Sequence, residues 1–218
     1  MISVNSRNSH KNKAIIEMSS LKTALSKRFG AHRVSDYPIS DEDYIDLLKL
    51  ELETKFPLTV LMTNGMSNYT MPVNEHYKGK EHNEIYFCLP SYWDLEDPNM
   101  RWPLELMQRL AKNVIENKTW YGAGHTIANG NPAMPLSDTV QQEYLLLTDP
   151  IALEDYLQPL QLADKTVHFL AIVPVFYDEY ERKVYKGYPK WIRRYRSRNY
   201  TEIVDEHRQS LHKKRWFF

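Results

Sequence analysis

Apolar positions along the chain repeat with two periods, near 3.6 residues and near two, and these divide it into helices and strands. Between Ala14 and about Arg28, Ile15, Ile16, Met18, Leu21 and Leu25 recur at three- and four-residue steps, predicting an amphipathic helix that Gly30 stops. YIDLLKLEL (44–52) is apolar at both periods, and its Leu48, Leu50, Leu52 alternation favours a strand. PLTVLM (57–62) and EIYFCL (84–89) are β-branched or aromatic runs bounded by Pro and polar turns, and read as strands. Pro103 opens the clearest helix, because proline suits a first turn and Leu104, Leu106, Met107, Leu110, Ala111, Val114 and Ile115 then share one face as far as about Lys118. GAGHTIAN (122–129) predicts a strand entered through glycines and EYLLLTD (143–149) another. TVHFLAIV (166–173) predicts a central strand, apolar on both faces and stopped by Pro174. DEYERKVYKG and WIRRYRSR alternate aromatic and charged residues at helical spacing. Strands and helices alternate without a regular βαβ rhythm, which predicts an α/β (α+β) fold, a mixed sheet flanked by helices. Residues 1–13 are polar and read as a mobile N-terminus, and no repeat or linker divides 14–218, which is expected to form a single domain.

Composition changes this picture in three ways. A chain of 218 residues with 42% hydrophobic residues can fill a core. Its net charge of zero conceals an asymmetry: residues 1–182 hold 17 Lys and Arg against 25 Asp and Glu, giving −8, and residues 183–218 hold 11 against 3, giving +8. Such segregation can steer a charged partner or pack the basic tail on an acidic face of its own domain. Cys88 is the only cysteine, so neither a disulfide framework nor a Cys-based zinc site is expected, and within IYFCLP it reads as a small buried thiol. MISVNSRNSHKNK has no apolar run to serve as a signal, and the longest apolar stretch, FLAIVPVF (169–176), is too short to span a bilayer; a cytoplasmic protein is expected.

Candidate chemistry is sparse. VLMTNGMSNYTM (60–71) places Ser67 two residues after Gly65, as a nucleophile elbow requires, but Tyr69 occupies the position of the second glycine. No lysine follows to make a phosphate-binding loop, so Asn64-Gly65 reads as a sharp turn at the end of a strand, structural before catalytic. None of the eight histidines has the spacing that sets two imidazoles on one helix face. His125 and His168 lie in predicted strands and could meet across a sheet, although a buried histidine bonded to backbone is the commoner case; His76 and His82 flank the charged KGKEHN. The acidic runs SDEDYID (40–46) and DLEDP (94–98) could supply a hydrolytic pair or a magnesium site, but without ligand spacing they read as solvated loops or caps. KVYKGYPKWIRRYRSR (183–198) carries seven basic and four aromatic residues and no acid, a mixture suited to nucleic acid or to a protein interface.

Five segments, VLMTNGMSNYTM, EIYFCLPSYWDL, WPLELMQRLAKNVIENKTWYGAGHTIAN, EYLLLTDP and VHFLAIVPVFYDEYERK, stand in an order that resembles the suppressor of fused family, in its single-domain bacterial form, over about 45–185. The more specific elements are the Thr63–Ser67 loop with Met71 beyond it, Glu84 to Leu89-Pro90, Gly124-His125-Thr126, and Pro174 with Glu179. The resemblance implies a mixed sheet flanked by helices and no catalysis. Animal relatives sequester a transcription factor by adding its extended peptide between two domains, a clamp that a chain resembling only the first domain does not inherit. Bacterial relatives are commonly immunity proteins beside toxins, several of them nucleases. The expectation is therefore a cytosolic antitoxin that occludes a cognate protein toxin, with no enzymatic activity, cofactor or metal, and with nucleic acid disfavoured as a partner. Asp41, Glu42, Asp43, Asp94, Glu96 and Asp97 would meet a basic cleft, and Trp191, Arg193, Arg194 and Arg196 an acidic region. The rival expectation is a regulator that binds nucleic acid, or sequesters a transcription factor, through the basic segment 183–218.

Overall fold

The structure, a computed structural model, describes residues 20–38 and 45–212. Eight strands are present among them: β1 Val34–Tyr37, β2 Asp46–Glu53, β3 Pro57–Asn64, β4 Asn83–Pro90, β5 Thr126–Ala128, β6 Tyr144–Thr148, β7 Leu160–Gln161 and β8 Thr166–Val175. Four α-helices accompany them: α1 Leu21–Phe29, α2 Trp102–Glu116, α3 Tyr177–Lys186 and α4 Tyr188–Ser197. The sheet runs β1-β2-β3-β4-β8-β6-β5, with β7 pairing the start of β8. Every neighbouring pair is antiparallel except β4 with β8, which makes the sheet mixed.

The two-residue period sorts side chains onto the two faces of the sheet. Leu47, Leu61, Ile85, Phe87, Leu145, Leu147, Leu170 and Ile172 turn to one face, where α2 lays down Trp102, Leu106, Met107, Leu110 and Val114. Leu48, Leu50, Val60, Met62, Tyr86 and Phe169 turn to the other, covered by Leu21 and Leu25 of α1 and by Leu153 to Leu162. Further along that second face, Leu146, Val173 and Val175 are covered by Trp191 and Tyr195 of α4.

Several expectations shift at their boundaries. Ser20 is extended and its Oγ accepts from the Thr23 N–H at 3.1 Å, so a helix begins at Leu21 within the expected span, and Gly30 at φ +98° ends it. The remainder of that expected helix and the whole of 1–13 lie outside the described residues. In GAGHTIAN the strand is confined to Thr126–Ala128, although the Gly124 N–H still donates to the Leu147 carbonyl at 2.7 Å and the Leu147 N–H to the His125 carbonyl at 2.9 Å; Gly124 itself sits at φ +93° against the Tyr188 ring. Nor does Pro174 stop the last strand. β8 leaves β4 beyond the Ala171 pairing with Tyr86, so Pro174 owes no N–H on that side, and its carbonyl accepts from Arg208 Nη2 at 2.9 Å. Beyond Tyr86, β4 is instead joined by Ile203, whose neighbour Val204 donates to the Cys88 carbonyl at 2.8 Å.

Candidate partner-binding surface

Three glutamates are fully or almost fully buried, and each one gathers loop backbone around its carboxylate. Gly65 at φ +136° and the short 3-10 turn Met66–Asn68 point three successive N–H groups at Glu84. Its Oε1 accepts from Gly65 and Ser67 at 3.0 Å, and its Oε2 from Met66 at 3.2 Å and the Thr63 hydroxyl at 2.6 Å. Burial pushes the Glu84 carboxyl above its ordinary range, against the opposing pull of these donors. Ser67 therefore has a structural post: it is 2% exposed, and His82 Nδ1 reaches its carbonyl, 2.9 Å away.

Glu202 does the same for the segment after β6. It accepts from the N–H groups of Ile151, Ala152 and Leu153 at 3.0, 2.7 and 3.0 Å, and from the Tyr86 hydroxyl at 3.2 Å. Glu179 caps its own helix through the Phe176 N–H and takes the Leu211 N–H at 2.9 Å. It also forms a two-pronged ion pair with Arg208, at 2.6 and 2.7 Å. Part of the acidity counted along the sequence is thus internal, consumed in holding loops 63–68 and 150–153 and the chain around 205–211.

The acids and cations expected at an interface fall in separate places. Asp41, Glu42 and Asp43 lie outside the described residues. Asp94 and Asp97 accept from the N–H groups of Glu96 and Asn99, and Glu96 accepts from the Tyr37 hydroxyl at 3.1 Å, so these acids order an exposed turn between β4 and α2. Arg193 and Arg194 are exposed on α4 and line a cavity of about 410 Å³ with Arg182, Lys186, Lys190 and His212. Arg196, one turn away on a different face, pairs with Glu154 at 3.2 Å beside a second cleft lined by Lys80, Asp149 and His168. Trp191 is not an exposed anchor: at 4% exposure it stacks on Tyr195, ring centres 4.7 Å apart, because the apolar stripe of α4 must cover the sheet.

His125 and His168 do not meet. His125 packs edge-on against Trp120 at 4.2 Å, and His168 Nε2 contacts the Gly79 carbonyl at 3.0 Å. Among the described residues no three His, Cys, Asp or Glu side chains converge as a metal cluster would. Cys88 is fully buried, and burial followed by the Glu202 charge pushes its thiol well above the ordinary value. No helix among the described residues is long and apolar enough to cross a membrane. The sequence reading missed Arg182, Lys186, Lys190 and His212 as members of one surface. The spacing of Arg182 and Lys186, and of Lys190, Arg193, Arg194 and Ser197, was the available signal, since each set shares a helix face.

The sequence profile of the suppressor of fused protein family matches residues 41–209, a span that includes α3 and α4. No curated protein matches the chain. Among solved structures, Drosophila Suppressor of Fused superposes with a TM-score of 0.56 at 18% identity, over 78% of this chain and 43% of that one. A chain of the Sufu–Fu complex gives 0.60 at 16% identity, over 92% and 91%. A suppressor of fused homolog from Neisseria gonorrhoeae gives 0.57 at 13% identity, over 94% and 99%. The chain thus spans less than half of the Drosophila protein and almost all of the Neisseria one. At these identities the likeness is one of fold, and the mixed sheet with flanking helices is the fold they share.

Proposed function

Because the chain belongs to the suppressor of fused protein family, we propose that it is a non-catalytic protein-binding regulator, and specifically a cytoplasmic immunity protein that occludes one toxin. The observation that carries the reading is the contrast between interior and exterior charge. The buried acids are engaged by loop N–H groups and by Arg208, which fixes a rigid frame. Exposed acids gather on the turn around Asp94, while cations with no carboxylate within 4.0 Å among the described residues gather around Arg193. A frame of this kind presents a preformed surface, and an interface of about 1,600 Å² in total would hold a partner with little reorganisation. A nuclease cleft, being basic, would suit the acidic turn, and opposite charge would speed encounter. The fold likeness to a chain of the Sufu–Fu complex supports protein binding as the general mode. Co-expression with a toxin-like gene found beside the coding sequence tests the reading: protection is expected, and cells that die equally with and without this protein overturn it.

The basic segment favours a second reading, a regulator that binds nucleic acid. Two of its aromatics weigh against this, because Trp191 and Tyr195 are 4% and 1% exposed and so are not available to stack on bases. A mobility shift of DNA or RNA at low salt, lost on deleting 183–218, would reinstate it.

A further inference from the structure

Two helices joined at Gly187 form the walls of the cavity around Arg193. Arg182 and Lys186 come from adjacent turns of α3; Lys190, Arg193, Arg194 and Ser197 follow one face of α4; Trp191 and His212 complete the lining. None of the five cations has a carboxylate within 4.0 Å among the described residues, although Arg194 donates to the Leu211 carbonyl at 3.3 Å and the charges of Asp178 and Glu179 reach His212. Close packing of like charge is unfavourable, and a protein normally disperses it or meets it with an anion.

The lining also holds unmatched polar groups. The Trp191 indole N–H is buried with no acceptor, and both ring nitrogens of His212 are buried with no partner. Burial and the neighbouring Arg182 charge lower the His212 pKa, which favours a neutral ring with one N–H donor and one acceptor. These groups are closed to solvent and are not contacts for an occupant of the cavity, which is left to its apolar walls and its cations. At about 410 Å³ the cavity lies within the ~300–1,000 Å³ range of ligand clefts, and the stems of its lysines and arginines give it apolar walls.

From these observations we infer that the cavity receives an acidic segment of a partner protein, seating one large apolar side chain between α3 and α4 with flanking carboxylates on the surrounding cations. Charge complementarity selects the occupant. A nucleic acid would lay phosphates across the rim and leave the apolar interior unfilled. The chain's own residues 213–218, Lys-Lys-Arg-Trp-Phe-Phe, would add three cations to the five already there. The inference rests on the reading of the chain as a protein-binding domain and names the chemistry of what one face would bind.

The test uses the full chain and a fluorescein-labelled peptide, Gly-Asp-Glu-Phe-Glu-Asp-Gly, followed by fluorescence anisotropy. Saturable binding is expected, weakening with salt as exposed ion pairs do. The double variant Lys186→Glu, Arg193→Glu should weaken it by about tenfold or more, its two sites being exposed and the melting temperature unchanged. Ser197→Phe, which fills the cavity and keeps every charge, should abolish it. Equal affinity for the same peptide with Gly in place of Phe would overturn the inference, as would equal competition by duplex DNA, since either reduces the site to unselective electrostatics. So would absence of binding, or binding that arises only after deletion of 213–218, which would make the chain's own terminus the occupant. Failure here with cells still protected from the toxin removes the cavity inference alone, whereas loss of protection removes the functional reading whatever the peptide does.

Discussion

Replacing Arg208 with Met should be among the most damaging single changes in this protein. The guanidinium is 5% exposed and donates to both oxygens of Glu179, which is fully buried, and to the Pro174 carbonyl. Phe176, Tyr195 and Tyr200 surround it, with ring centres 5.2, 5.5 and 5.3 Å away. Methionine preserves much of the packing volume but strands the Glu179 charge with only the Phe176 and Leu211 N–H donors. Breaking a buried pair by removing one partner costs about 3–5 kcal/mol, a large share of the ~5–15 kcal/mol that stabilises a domain. At roughly 2–4 °C per kcal/mol for a chain of this size, the melting temperature should fall by about 6–20 °C. Urea unfolding should show a lower midpoint with an unchanged slope. The double variant Arg208→Met, Glu179→Gln removes the stranded charge, so its loss should be smaller than the sum of the two single losses. If Arg208→Met lay within about 0.5 kcal/mol of wild type, or if the cycle were additive, the ion pair would not anchor the 205–211 segment.

Three further outcomes follow from the geometry. Burial raises the Glu84 pKa above its unfolded value, so the protonated form is favoured on folding; that contribution is fully present below the unfolded pKa and lost as pH rises through the folded one. Urea midpoints of wild type minus those of Glu84→Gln should therefore grow as pH falls from 7 towards the usual carboxylate range, and a flat or shrinking gap would refute the assignment. Gly124→Ala places a Cβ 2.9 Å from Tyr188 Cγ at φ +93°, so a thermal melt should record a loss of about 1–2 kcal/mol or more, and an unchanged melting temperature would show that Tyr188 does not pack there. Cys88 should resist a thiol reagent in the native protein at pH 8 and react stoichiometrically in denaturant, whereas rapid native labelling would contradict its burial.

Local pattern alone determined the scaffold. The alternation in YIDLLKLEL, the β-branched PLTVLM, and the proline-led stripe from Leu104 to Ile115 each report burial of neighbours in sequence, and that is what fixes a strand or a helix. The same local logic recovered α3 and α4 and the structural character of the Asn64-Gly65 turn. Only the tertiary structure decided which charges are free. Nothing local marks Glu84, Glu179 and Glu202 as buried acids, because their partners lie 17 to 116 positions away or at a cap, and no periodicity records such a separation. Trp191 and Arg193 stand two residues apart and both line the cavity, yet the first is packed into the core and the second is exposed, because α4 turns its apolar stripe onto a sheet that the sequence does not place beneath it. Burial of an apolar side chain is written into short-range spacing, whereas the pairing of a charge depends on which distant backbone the fold brings alongside it.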